Sequence, residues 1–220
     1  MADARLLQDK VYRQLKDKIN GGELSHGQIY SETKLASELG VSRTPMKDAL
    51  RRLSQDRFID IIPSKGFKLH EMTEDDIWNT YQTRMAIEGF CALHLAQNKN
   101  TLEGKKALKN MKRSIRDMQE SIENGETREN VLEDDMRFHA ILVHFSQNRE
   151  LIDLYESYNH RLNAIAMESF EKENRQSDAL TEHEAIYNAI VDASEDPDMN
   201  AYQAVRSHME ASRDIALNLL

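Results

Sequence analysis

Glycine and proline interrupt regular structure, and in this chain they are crowded at one end. Five of the eight glycines and two of the three prolines precede residue 71 of 220. The first 70 residues must therefore use short elements joined by tight turns. The rest runs in long stretches, broken only near 99–104, 124–127, 146–149, 174–178 and 194–198. Between those breaks apolar residues recur every three or four positions, as at Ile77, Tyr81 and Met85. The expected architecture is mostly α: an amino-terminal domain over 1–70, a linker over 71–76, and an all-α six-helix bundle over 77–220.

Charge divides the chain at the same place. Residues 1–70 carry 13 Lys+Arg against 9 Asp+Glu, whereas residues 71–220 carry 16 against 29. A basic head on an acidic body suits contact with a polyanion through one end only. No apolar stretch approaches the roughly 20 residues of a membrane span, and residues 1–10 lack the apolar block of a signal peptide. A cytoplasmic protein is expected. The single cysteine, Cys91, leaves no internal disulfide framework and no cysteine-rich zinc knuckle, so a bound metal would need His and carboxylate.

Within the head, Leu7, Val11, Leu15 and Ile19 set an amphipathic helix that stops at Gly21-Gly22. Ser31 can cap a short helix over 32–39, closed by Gly40 where a left-handed residue is needed. Ser42 can cap the next helix, in which Met46, Leu50 and Leu53 face inward at i, i+4 and i+7. Arg43, Lys47 and Arg51 lie four apart on its other side and form one basic stripe. Two short helices joined by a tight turn, the second cationic, are the geometry for entering a DNA major groove. Arg43 can pair bidentately with guanine, and Thr44 offers a hydroxyl and a methyl to base edges or phosphate. Lys47 and Arg51 suit phosphates. Residues 58–62 and 66–69 read as strands around Pro63-Ser64-Lys65, a hairpin wing whose tip, Lys65 and Gly66, could approach the DNA backbone or minor groove. The head is a winged helix-turn-helix.

In the body, Asp135 and His139 are four apart on a helix expected over 131–145, so one face carries both. His183 and His208 flank the break at 194–198; an antiparallel hairpin would bring them to one height. Asp135, His139, His183 and His208 can then converge on a divalent cation, Zn²⁺ or Ni²⁺ before Mn²⁺ or Fe²⁺ at equal concentration. Spacing also leaves His160 as a competitor for a place near His139.

The run from Ser31 to Leu53 resembles the DNA-binding signature of GntR-type bacterial transcription regulators. That resemblance implies operator contacts from Ser42, Arg43, Thr44, Lys47 and Gly66. Thr33 stands where many members have arginine, Lys47 replaces a frequent arginine, and His26 precedes Gly27 where proline is usual. Lysine cannot reproduce a bidentate arginine contact, so the relatives' operator sequence does not carry over. The body resembles the FCD effector domain of the FadR subfamily, in its six-helix VanR-type form. Arg84 with Glu88, Asp135 with Phe138-His139, Ser146 with Asn148, Glu182-His183 and Ser207-His208 carry the likeness. It implies Asp135, His139, His183 and His208 as metal ligands, and Arg84 and Asn148 as residues facing an effector.

A cation beside an arginine would bind a small carboxylate through both; Arg84 could equally pair with Glu88 at i+4. The expected protein is a homodimeric regulator, a repressor in the arrangement commonest for such proteins. It would bind a palindromic operator with an affinity set by a small organic acid. The alternatives are a metal-dependent enzyme and a metal that merely staples the bundle. No HExxH pair and no glycine-rich phosphate loop favours the enzyme.

Overall fold

The computed structural model describes residues 2–192 and 197–220. Two compact units meet between Met72 and Thr73. The first unit holds α1 (Ala2–Asn20), α2 (Glu32–Glu38), α3 (Arg43–Gln55), β1 (Ile59–Ile62) and β2 (Gly66–Leu69). Ser31 caps α2 by accepting from Lys34 N, and Gly40, at φ 64°, makes the turn into α3. Ser42 occupies the cap position of α3, but its hydroxyl makes no capping hydrogen bond there. Met46, Leu50 and Leu53 pack with Val11, Leu15, Leu35, Ile59 and Phe67 into one core. Each fully buried side chain of this kind is worth about 1.5–3 kcal/mol.

β1 and β2 pair antiparallel, Ile59 opposite Leu69 and Ile62 opposite Gly66. The wing is also stitched to the segment entering α2: Tyr30 N donates to Phe67 O at 2.7 Å and Phe67 N to Tyr30 O at 3.0 Å. Gly66 is required at this seam. Its φ is 131°, and a Cβ would lie 2.0 Å from Tyr30 O.

Six helices build the second unit among the described residues: α4 (Glu74–Asn98), α5 (Leu102–Glu123), α6 (Arg128–Phe145), α7 (Arg149–Ser169), α8 (Arg175–Val191) and α9 (Pro197–Leu217). Polar residues start most of them. Thr73 and Asp76 cap α4 reciprocally, Thr101 caps α5, Thr127 caps α6 and Asn148 caps α7. Two expectations shift: residues 74–76 are the first turn of α4 rather than linker, and α6 begins three residues before Val131. The break expected at 194–198 falls largely outside the described residues. α4 is the central helix, packed against α9, α6, α8 and α7. It buries Ile77, Tyr81, Ile87, Cys91 and Leu95, and beside them the polar row Thr80, Arg84 and Glu88.

Candidate metal centre and nucleic-acid interface

Polar residues four apart on α4 fall on one inward face, and histidines of α6, α8 and α9 meet them there. The ligand nitrogens of His139, His183 and His208 all lie within 4.8 Å of one another. Nε2 of His183 is 3.1 Å from Nε2 of His139. Nitrogens sharing a tetrahedral zinc at about 2.0–2.1 Å would stand roughly 3.3 Å apart, so this pair already has that spacing.

Two parallel relays orient the outer imidazoles. Arg84 Nε donates to Glu88 Oε1 at 2.7 Å, and Glu88 Oε2 takes His139 Nδ1 at 2.6 Å. Arg175 Nη1 donates to Glu182 Oε2 at 3.1 Å, and the same oxygen takes His208 Nδ1 at 2.6 Å. Arg175 also reaches Ser212 Oγ, tying α8 to α9. A carboxylate on Nδ1–H fixes the tautomer and leaves Nε2 as a lone-pair donor, the arrangement metal-ligating histidines use. The donor set fits a borderline divalent ion.

Electrostatics agree. Burial, helped by the Arg84 charge, holds His139 well below its ordinary pKa. Burial and the neighbouring histidines do the same for His183, and burial outweighs Glu182 in lowering His208. All three imidazoles are neutral and able to ligate at neutral pH. Burial opposes ionisation of Glu182, but the His208 N–H and the Arg175 guanidinium outweigh it and lower its pKa. Burial pushes Asp135 up to about 6.

Asp135 lies outside the three-histidine cluster but beside it, its Oδ1 3.4 Å from His183 Nε2, a spacing that two ligands of one ion would also have. Arg84 does pair with Glu88, yet its Nη2 is buried without a partner, as are Thr80 Oγ1, Tyr155 Oη and His183 Nδ1. Buried polar atoms are almost always satisfied, so this cluster of orphans is exceptional. Asn148 is exposed, and its Oδ1 accepts from Glu150 N and Leu151 N to cap α7. His144 is exposed and pairs with Glu156. The side chain of His160 lies outside the described residues.

Sequence spacing alone does not mark Glu88 and Glu182 as histidine partners, nor Arg175, Thr80 and Tyr155 as neighbours of the site. The i+4 spacing of Arg84 and Glu88, and the adjacency of Glu182 to His183, were the available signals. Nothing in sequence tied Arg175 or Tyr155 to the site.

On the first unit, Arg43, Thr44, Lys47 and Arg51 are exposed along α3, beside the exposed Ser42. Arg51 is within 3.5 Å of Asp48 but remains 72% exposed. Lys65 is exposed at the wing tip, while Gly66 is half-buried against Tyr30. The basic reading helix and the wing come from one core. The adjacent Arg52 is held otherwise, over the Tyr12 ring and against Asp9.

A winged helix-turn-helix with a cationic reading helix, joined to a helical unit with a buried histidine centre, defines a DNA-binding regulator. Residues 7–69 match the bacterial regulatory proteins of the gntR family, and residues 79–211 match the FCD domain. The chain belongs to the gntR family and carries an FCD domain. It is 27% identical over 181 residues to the HTH-type transcriptional regulator YdhC of Bacillus subtilis, spanning 82% of this chain and 79% of that protein. It is 26% identical over 212 residues to a D-xylose utilization operon transcriptional repressor of Paenarthrobacter nicotinovorans, 94% of this chain and 89% of the relative. A GntR regulator structure from Rhodococcus sp. RHA1 shares the fold, with TM-score 0.70 and 20% identity over 97% and 98% of the two chains. The Zn²⁺-bound FCD domain of TM0439 aligns at TM-score 0.51 and 23% identity over 67% of this chain and 96% of that one. The matched domains and relatives are those of transcription regulators, not enzymes. No helix among the described residues is long and apolar enough to cross a membrane.

Proposed function

We propose that this regulator is a repressor whose operator affinity is set by a small carboxylate bound at a divalent-metal site in the helical unit, with Zn²⁺ as the preferred ion. The observation that carries this reading is the Arg84–Glu88–His139 relay. It sets a guanidinium with a free Nη2 beside three neutral imidazoles. His139, His183 and His208 would hold the ion, with Asp135 as the adjacent carboxylate. The ion would supply a Lewis-acidic anchor for one carboxylate oxygen. Arg84 Nη2 would take the other oxygen, and the orphaned hydroxyls of Thr80 and Tyr155 would select neutral polar groups on the ligand. Asp135, Glu88 and Glu182 outnumber Arg84 and Arg175, so without an ion the site would repel an anion.

In the first unit, Arg43 and Thr44 would read base edges while Ser42, Lys47, Arg51 and the wing tip at Lys65 and Gly66 engage the backbone. A palindromic operator needs two readers, and α4 offers a surface for a second copy. Between Asp76 and Lys99 its only formally charged residues are Arg84 and Glu88, both buried. Outward it shows Phe90, 49% exposed, above an apolar groove of about 610 Å³ shared with Leu151 and Leu154 of α7. A charge-free face on a chain that is 30% charged has the composition of an interface core. Repression agrees with the role named for the D-xylose utilization operon relative.

Calorimetry on the full-length protein tests the site. Metal-loaded protein should bind members of a carboxylate panel saturably, chelated protein should not, and Arg84→Lys, which keeps the charge but loses the fork, should weaken binding at least tenfold. Equal carboxylate binding with and without metal would remove the proposal.

A further inference from the structure

The second unit is acidic except along one helix. Residues 102–116, the first four turns of α5, carry Lys105, Lys106, Lys109, Lys112, Arg113 and Arg116 against Glu103 alone, six of the sixteen cations in residues 71–220. At about 100° per residue these six fall within an arc of about 120°, and the stripe is about 16 Å long. Every one is exposed. The opposite side of α5 is buried through Ala107, Met111, Ile115 and Met118, which fixes the basic arc outward. Arg113 and Arg116 lean toward Asp117 at 3.6 and 3.7 Å, but the four lysines make no ion pair among the described residues.

We propose that this face of α5 is a second phosphate-binding surface, engaging duplex DNA that flanks the base pairs read by α3. Charge complementarity selects the occupant. Clustering like charges costs self-repulsion, which a polyanion relieves while releasing its condensed counterions. The competing occupant is an acidic face of a second copy, for which Asp117, Glu120, Glu126 and Glu133 are candidates. Exposed ion pairs of that kind contribute little, and apart from Leu102 the arc holds no apolar side chain to drive protein association. Phosphates are the better match.

The test uses the full-length protein and an operator selected by it from random duplexes, embedded centrally in duplexes of about 20 and about 60 base pairs. Affinities are measured across a salt series for wild type and for the quadruple variant Lys105→Gln, Lys106→Gln, Lys109→Gln, Lys112→Gln. Both proteins should bind the short duplex equally, with unchanged melting temperature and sedimentation. On the long duplex the variant's plot of log K against log salt should be shallower by about 3.6 per chain, each of the four phosphate contacts contributing about 0.9. Identical slopes on the long duplex would overturn the proposal, as would a variant whose only defect is lost self-association. Failure of wild type to prefer the operator in the short duplex would instead count against the reader in α3.

Discussion

At the scale of single residues, the histidine centre depends on the carboxylates behind it. Glu182 fixes the tautomer of His208 through a 2.6 Å contact and is itself held by Arg175. Replacing it as Glu182→Gln should weaken metal binding about 10–100-fold, measured by competition with a chelator, with the helical content intact; unchanged affinity would deny the relay any role. The same residues set a pH dependence in the metal-free protein. Three imidazoles have folded-state pKa values below the ordinary value, so the unfolded chain binds more protons as pH falls through about 6.5, and stability is lost on acidification. Asp135, raised to about 6, works the opposite way between about 4 and 6, because there the folded state holds the extra proton. Three groups oppose one. Metal-free protein should therefore gain stability from pH 5 to 7 in denaturant titrations, and a flat or falling profile would show that the histidines are protonated in the fold.

Elements translate such details into position. The wing is placed by Gly66, whose backbone passes too close to Tyr30 O for any side chain. Gly66→Ala should cost about 1–3 kcal/mol from the disfavoured φ alone, read as a lower midpoint in chemical denaturation, and should weaken operator binding by displacing Lys65. Much of this level was legible in the sequence. Gly40, Ser31 and the i, i+4, i+7 row of Met46, Leu50 and Leu53 specify the reader because helix caps and amphipathic rows are local signals. Helix breaks near 101, 127 and 148 were legible for the same reason. The site was legible only in its outline. His139, His183 and His208 stood out as residue types at suggestive separations. Arg175 and Tyr155 join through packing between helices distant in sequence, and no periodicity encodes that. Asn148 caps α7, and its place in a helix-breaking segment does not by itself separate capping from binding.

For the whole molecule, the proposed palindromic operator would need a second copy of the chain, and the uncharged outer face of α4 is the surface proposed for it. Phe90→Asp together with Leu154→Asp should yield monomers by sedimentation and lower operator affinity, since burying a carboxylate in an interface core is costly. Retention of the dimer would move the interface elsewhere. In the proposed function DNA is read by one unit and the carboxylate is bound by the other, so regulation would pass between them as a coupling free energy. A ligand can shift DNA affinity only as far as it binds the two states unequally. The most direct measurement is operator affinity of the full-length protein, by fluorescence anisotropy on the promoter beside its own gene. It would be made metal-loaded and metal-free, with and without a panel of small carboxylates. The expected result is a change of about 5–150-fold produced by a carboxylate only when metal is present. The same affinity under all four conditions, or no preference for that promoter over scrambled duplex, would contradict it.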